Sequence, residues 1–185
     1  MEANEVYEVD VNNNSLQILP RLVREFKFDL ETSGRTRPPF EDNYFDFVTA
    51  IEIIEHLSHG DYLIMEAFRV LRTGGYLLLT TPNLASWINR LLLGFGYQPM
   101  FYGAFKVLLD WLTGGIRRKE GSIYGHKNLY TLKAMLDLLK VHGFVTCYVS
   151  GSRTFEKGLV GMIDRLLFHF PSVAPILITT AKKIG

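Results

Sequence analysis

A chain of 185 residues, 48% hydrophobic and 21% charged, is long and apolar enough to bury a core as one globular domain, and its composition excludes a disordered chain. Twenty basic against nineteen acidic side chains leave a formal charge of +1, so no overall field favours nucleic acid, and the triplet Arg117-Arg118-Lys119 reads as a solvated loop. The single cysteine, Cys147, excludes an internal disulfide and a cysteine-built zinc site, and it fits a reducing, cytoplasmic location. Met1-Glu2-Ala3-Asn4 does not have the basic and then apolar pattern of a secretory signal.

In chain order, Glu5 to Asp10 reads as a strand that delivers an acid at its carboxyl end. Asn14 or Ser15 can cap a helix running to about Glu25, with a kink or break near Leu19 where Pro20 removes a donor. Phe26 to Leu30 is a short strand, and Glu31 to Pro39 is a polar loop. Phe45 to Ile51 is nearly continuous apolar, the pattern of a strand buried on both faces of a parallel sheet.

Asp61 to Leu71 carries Leu63, Ile64, Ala67, Phe68 and Leu71 at helical spacing, and Gly74-Gly75 is expected to end that helix. Tyr76 to Thr81 is the next buried strand, stopped by Pro82-Asn83. Residues 84–124 form an aromatic-rich insertion, helical in pieces. Thr131 to His142 is an amphipathic helix capped by Thr131 and closed by Gly143. Strands over Phe144 to Ser150 and Ile176 to Ala181 flank a helical stretch around Leu159 to Phe168. No repeat or second domain is evident. The alternation predicts an α/β chain with a mainly parallel sheet and helices on both faces. Ligands in such sheets bind beyond the strands' carboxyl ends, where Asp10, Asp29, Glu52 and Asn83 fall.

Several side chains have two readings. Asp10 is a ribose-binding acid or a helix-start acid favoured by the dipole. Glu52, Glu55 and His56 stand at i, i+3 and i+4, which on a helix places them on one face; with His126 as a fourth ligand they could hold a divalent ion. The preferred reading is a satisfied polar cluster and no metal. His126, beside Gly125, is a turn residue or a base or orienter, and Tyr124 and Tyr130 are substrate contacts or core. The insertion carries Trp87, Phe95, Tyr97, Phe101, Tyr102, Phe105 and Trp111, and residues 91–105 hold no charge. That run is too short to span a bilayer, which takes about 20 apolar residues. It suits a lid over an apolar or lipid-like acceptor, a membrane-facing surface, or a contact between copies in a homo-oligomer.

Three segments in order, "PPFEDNYFDFVTAIEIIEHL" (38–57), "VLRTGGYLLLTTPN" (70–83) and "YGHKNLYTLKAMLDLLKVHGF" (124–144), resemble the class I S-adenosylmethionine-dependent methyltransferases, in particular the type 11 branch. The resemblance implies a Rossmann-like sheet in the order 3-2-1-4-5-7-6 with its last strand antiparallel, and S-adenosylmethionine as cofactor. Asp10 would then receive the ribose hydroxyls, Asp29 with Leu30 the adenine, and Ala50, Ile51 and Glu52 would line the methionine half. His126 would be the catalytic residue, as base or orienter, and Asn83, Trp87, Tyr124 and Tyr130 would meet substrate or form the lid. In that order the strand ending at Asp10 resembles the family's second. The family's first strand and glycine-rich cofactor turn have no counterpart in these 185 residues, so the chain is expected to be N-terminally truncated. The implied activity is methyl transfer to a small-molecule acceptor; the alternative is a non-catalytic module of the same fold acting in binding or assembly.

Without that turn, the 185-residue chain should bind S-adenosylmethionine no tighter than about millimolar, roughly 4 kcal/mol. Calorimetric titration checks this, and a micromolar constant overturns it.

Overall fold

The computed structural model describes residues 6–10, 23–27, 37–100 and 126–185. The chain divides into two compact units, Met1–Pro39 and Phe40–Gly185, where the sequence suggests one domain. In the first unit, β1 (Val6–Asp10) pairs in parallel with β2 (Val23–Lys27), in a register that sets Val6 opposite Val23 and Asp10 opposite Lys27. Val23 to Glu25, expected to close a helix, are therefore strand, and the rest of that expected helix lies outside the described residues. Strand pairing with β1 overrides the local helical preference of this charged stretch. Asp29 and Leu30 lie outside the described residues.

The second unit is built on a four-stranded sheet in the order β3-β4-β6-β5, where β3 is Phe45–Ile51, β4 is Leu71–Pro82, β5 is Phe144–Ser152 and β6 is Ile176–Lys183. β3 and β4 are parallel, and β6 runs antiparallel to both of its neighbours, so the expected reversed last strand is present. A turn of 3-10 helix, Ile54–His56, leads from β3 to α1 (Gly60–Val70). α2 (Trp87–Gly94) follows β4, α3 (Leu132–Val141) precedes β5, and α4 (Gly158–Leu167) precedes β6. Among the described residues no helix is long and apolar enough to cross a membrane.

Two expectations change here. α1 ends at Val70, where the Leu71 amide closes the helix on the Ala67 carbonyl, and the chain enters β4 at once. Gly74-Gly75 therefore serves β4 and does not cap the helix. Phe45 pairs with Leu71 but Phe47 with Tyr76, and the register jump is absorbed by residues 72–75, with Gly74 at φ +82. β3 also differs: it is the outer strand of its sheet, and while Ala50 is buried, Phe47 and Ile51 keep about half their surface exposed.

The core lies between the sheet and its helices. Ile64 of α1, Leu77 and Leu79 of β4, Met135 and Leu139 of α3 and Leu177 of β6 are all fully buried, each contributing about 1.5–3 kcal/mol of transfer free energy. Thr131 caps α3 by accepting the Ala134 amide at 3.2 Å, and Gly143 at φ +86 closes it, as the sequence suggests. A second cluster joins Trp87, Ile88, Leu92 and Met100 to Val160, Ile163 and Leu167 of α4. Within it, buried Asp164 accepts the Trp87 indole N–H and the Thr154 and Phe155 amides. At the end of β6, the buried Lys183 ammonium donates to Asn43 Oδ1 and to the Phe68 and Leu71 carbonyls, and burial pulls its pKa down.

Gly151 in β5 packs against the side chain of Ala174 and the carbonyl of Phe168 with no room for a Cβ, whereas Gly94 has open space. Gly151→Ala should lower stability in urea unfolding by about 1–3 kcal/mol. Gly94→Ala should be neutral or stabilising by up to about 1 kcal/mol.

Candidate functional site

The chemistry-bearing residues of the second unit gather where the parallel strands β3 and β4 end. Glu52 directly follows β3 and sits at φ +52, a left-handed conformation that costs a non-glycine residue about 1 kcal/mol or more. β4 holds it there. The Glu52 amide donates to the Thr80 carbonyl at 3.1 Å and to Thr80 Oγ1 at 3.2 Å, and the Thr80 hydroxyl is placed 3.2 Å from Glu52 Oε1 to donate in turn. Strain at the carboxyl end of a parallel strand, anchored by its neighbour, marks a position where ligands meet this class of sheet.

The 3-10 turn then carries Glu55 inward, fully buried. Its Oε2 accepts the Thr81 hydroxyl at 3.1 Å, while its Oε1 has no hydrogen bond among the described residues and stands 3.9 Å from His56 Nε2. The Glu55 carbonyl accepts the amides of Lys127 and Asn128 at 2.7 and 3.1 Å, and Asn128 Nδ2 donates to the Leu57 carbonyl at 2.6 Å. These bonds staple residues 127 and 128 to the turn and bring the His126 ring to 4.6 Å from that of His56.

One donor atom from each of Glu55, His56 and His126 lies within 4.8 Å of the others, so these three could hold a divalent ion through one oxygen and two imidazole nitrogens. That donor set suits a borderline transition ion better than a hard one. Glu52, the fourth expected ligand, is not part of this group, its carboxylate being paired with Thr80.

Burial, followed by repulsion from Glu55, raises the Glu52 pKa against the opposing pull of Thr80 and His56. Burial likewise raises Glu55, opposed by its own backbone amide and by Thr81. Tyr130 is raised by burial and then by Asp61 and Glu55. It bridges to Asn83 in parallel strand fashion, and its hydroxyl fills the space that a Cβ on Gly60 would need. Beside it, Ser58, Asp61, Asn128, Ala134 and Leu138 line an open depression of about 460 Å³.

The remaining expected site residues divide. Ala50 is buried and Ile51 half exposed at the end of β3, and Asp10 closes β1 in the first unit. Asn83 is fully buried: Nδ2 donates to the carbonyls of Pro171, Ser172 and Ala174, and Oδ1 accepts the Ala85 amide. Trp87 is buried in the second cluster. Both are thus engaged in holding the start of the insertion in place. Tyr124 lies outside the described residues. Thr80, Thr81 and Asn128, which fix the two glutamates and the turn, are not among the residues that sequence reasoning singles out; the polar pair Thr80-Thr81 closing an apolar strand is the signal that could have found the first two.

A parallel pair joined to a reversed β6, with titratable groups at the parallel strands' carboxyl ends, is the arrangement found in the Rossmann-like fold of class I methyltransferases. Residues 1–79 of this chain match the family model described as methyltransferase domain. Over 77 residues the chain is 32% identical to the ubiquinone/menaquinone biosynthesis C-methyltransferase UbiE of Neisseria meningitidis, a match covering 40% of this chain and 31% of that protein. Over 83 residues it is 31% identical to phthiotriol/phenolphthiotriol dimycocerosates methyltransferase 1 of Mycobacterium ulcerans, covering 43% of this chain and 31% of that one. The matched stretch therefore spans about a third of these curated relatives' length. The fold superposes with a TM-score of 0.62 at 11% identity on a structure of the Haloferax volcanii complex between the Trm112 methyltransferase activator and a methyltransferase, covering 98% of this chain and 73% of that one. On an S-adenosylmethionine-dependent methyltransferase from Mesorhizobium loti the TM-score is 0.58 at 13% identity, with 98% and 81% covered.

Because the folded pKa values of Glu52 and Glu55 lie above the ordinary 4.5, the unfolded chain loses these protons first as pH rises. The stability they contribute is fully present below about 4.5 and is lost as pH rises through the raised values. Glu55→Gln should flatten that decline and leave the variant more stable than wild type at pH 7, read from urea midpoints across pH. An unchanged slope would show that Glu55 does not titrate in this window.

Proposed function

We propose that the chain takes part in S-adenosylmethionine-dependent methyl transfer to a small, apolar or lipid-like acceptor. The observation that carries this reading is the gathering of Glu52, Glu55, His56, His126 and Tyr130 at the carboxyl ends of β3 and β4, in a chain whose first 79 residues match the methyltransferase domain. The acceptor class is supported by relatives named for quinone biosynthesis and for phthiotriol dimycocerosates. The half-exposed Ile51 and the strained Glu52 fit a ligand flank, so Ala50, Ile51 and Glu52 would line the methionine half of the cofactor; the family resemblance, and no observed contact, assigns the adenosine to Asp10, Asp29 and Leu30. The glycine-rich turn that completes such a site is not among these residues.

When bound, the cofactor supplies a methyl group already activated on a sulfonium. The protein's work is therefore to position the acceptor, exclude water and accept at most one proton. His126 is the base in this reading. Buried Glu55, with Oε1 3.9 Å from His56 Nε2, helps orient the paired imidazoles. No metal takes part.

The test is transfer of labelled methyl from S-adenosylmethionine to quinol and phenolic lipids. It uses the 185-residue chain and a chain preceded by a class I strand, glycine-rich turn and helix. The extended chain should label lipid in the presence of chelator, and His126→Ala should lower kcat by about 10²–10⁴ with cofactor affinity kept. Cofactor binding without transfer would favour the non-catalytic module. Activity lost in chelator and restored by manganese would instead make Glu55, His56 and His126 metal ligands.

A further inference from the structure

The apolar sector of α4 is wider than its packing uses. Val160, Ile163 and Leu167 face the cluster formed with α2, but Leu159, Met162 and Leu166, at i, i+3 and i+7, form a second stripe that is 72%, 65% and 69% exposed. Phe170, just beyond the helix, is 61% exposed. α2 packs on the same cluster, and at its carboxyl end Leu91, Phe95 and Tyr97 also stand more than half exposed. Single exposed hydrophobics need no explanation, but a stripe of them along one helix does.

The charges around this surface are predominantly positive. Over residues 85–100 and 152–173 the exposed charged groups are Arg90, Arg153, Lys157 and Arg165 against Glu156 alone; Asp164 is buried and hydrogen-bonded. Two exposed cations of the sheet and α3, Arg72 and Lys133, are paired with Asp46 and Asp137, both at 2.7 Å. These four form no ion pair among the described residues: Arg90 donates to the Ala85 and Ser172 carbonyls, and Arg153 lies over the Phe168 ring.

From this charge complementarity we propose that the outer face of α4, with the end of α2, docks on an anionic lipid bilayer, its apolar stripe entering the interface and its cations meeting lipid phosphates and carboxylates. An interfacial helix needs this combination of an apolar stripe and a basic flank. A second copy would set like charges against each other.

The test is flotation of the chain with phosphatidylcholine vesicles and with vesicles of roughly 3:1 phosphatidylcholine to phosphatidylserine. The chain should float with the anionic vesicles only and be released by high salt. The exposed double substitution Met162→Gln with Leu166→Gln should reduce partitioning about tenfold or more while leaving the circular dichroism melt unchanged. Arg153→Ala with Lys157→Ala and Arg165→Ala should abolish the preference for phosphatidylserine. The proposal is overturned if wild type does not float, if the Gln variant floats equally, or if the Gln variant instead abolishes a concentration-dependent dimer in sedimentation. None of these readouts depends on cofactor or methyl transfer.

Discussion

The functional end of the second unit depends on one buried carboxamide. Asn83 stands where β4 stops, and its side chain is shared between three carbonyls of the segment leading into β6 and the amide that starts the turn into α2. Its main chain donates to the Pro175 carbonyl and accepts from Ser86 and from Asn89 Nδ2, while Asn89 Oδ1 takes the Met100 amide. A buried polar group left without partners costs about 1–3 kcal/mol, so this hub must be satisfied as a whole or not at all. Through it the end of β4, the start of the insertion and the bridge to Tyr130 are fixed together, and Tyr130 in turn closes over Gly60.

A second tie fixes the other side. The carbonyl of Glu55 holds residues 127 and 128 by their amides while its carboxylate points to Thr81 and His56. Main chain and side chain of one residue thus do different jobs: the first brings a distant segment to the strand ends, and the second sets the electrostatics there. Glu52, three residues earlier, is held by Thr80 instead, so two acids close in sequence end in unlike environments.

Features that follow from local chemistry are legible in the amino-acid sequence. The run Phe45–Ile51 marks a parallel strand with its boundaries, and Thr131 and Gly143 bracket α3. Features decided by distant partners are not. Val23–Glu25 pairs with β1, and Gly74-Gly75 absorbs a register jump against β3; neither partner is visible from the residues themselves. The apolar run of β3 predicts burial on both faces, yet burial depends on which strand lies alongside, and β3 is outermost in its sheet. Asn83 and Trp87 look like contact residues because amides and indoles often are. Only the hydrogen-bond geometry shows their capacity already used, by the segment before β6 and by Asp164. The convergence of Glu55, His56 and His126 is half legible: the first two are adjacent, but the third arrives through backbone bonds that no spacing rule encodes.

The position of β6 bears on how the chain comes to fold. It is hydrogen-bonded on one side to β4 and on the other to β5, and Tyr76 meets Lys182 about a hundred residues later. Until that strand has been synthesised, β4 has only β3 as a neighbour, and β5 has no partner in this sheet. The contacts that complete the sheet are therefore among the most non-local in the molecule, closing a long loop before they return any stabilisation. During translation the Tyr76-Leu77-Leu78-Leu79 edge would emerge ahead of the strand that covers it, the circumstance in which nascent chains engage chaperones.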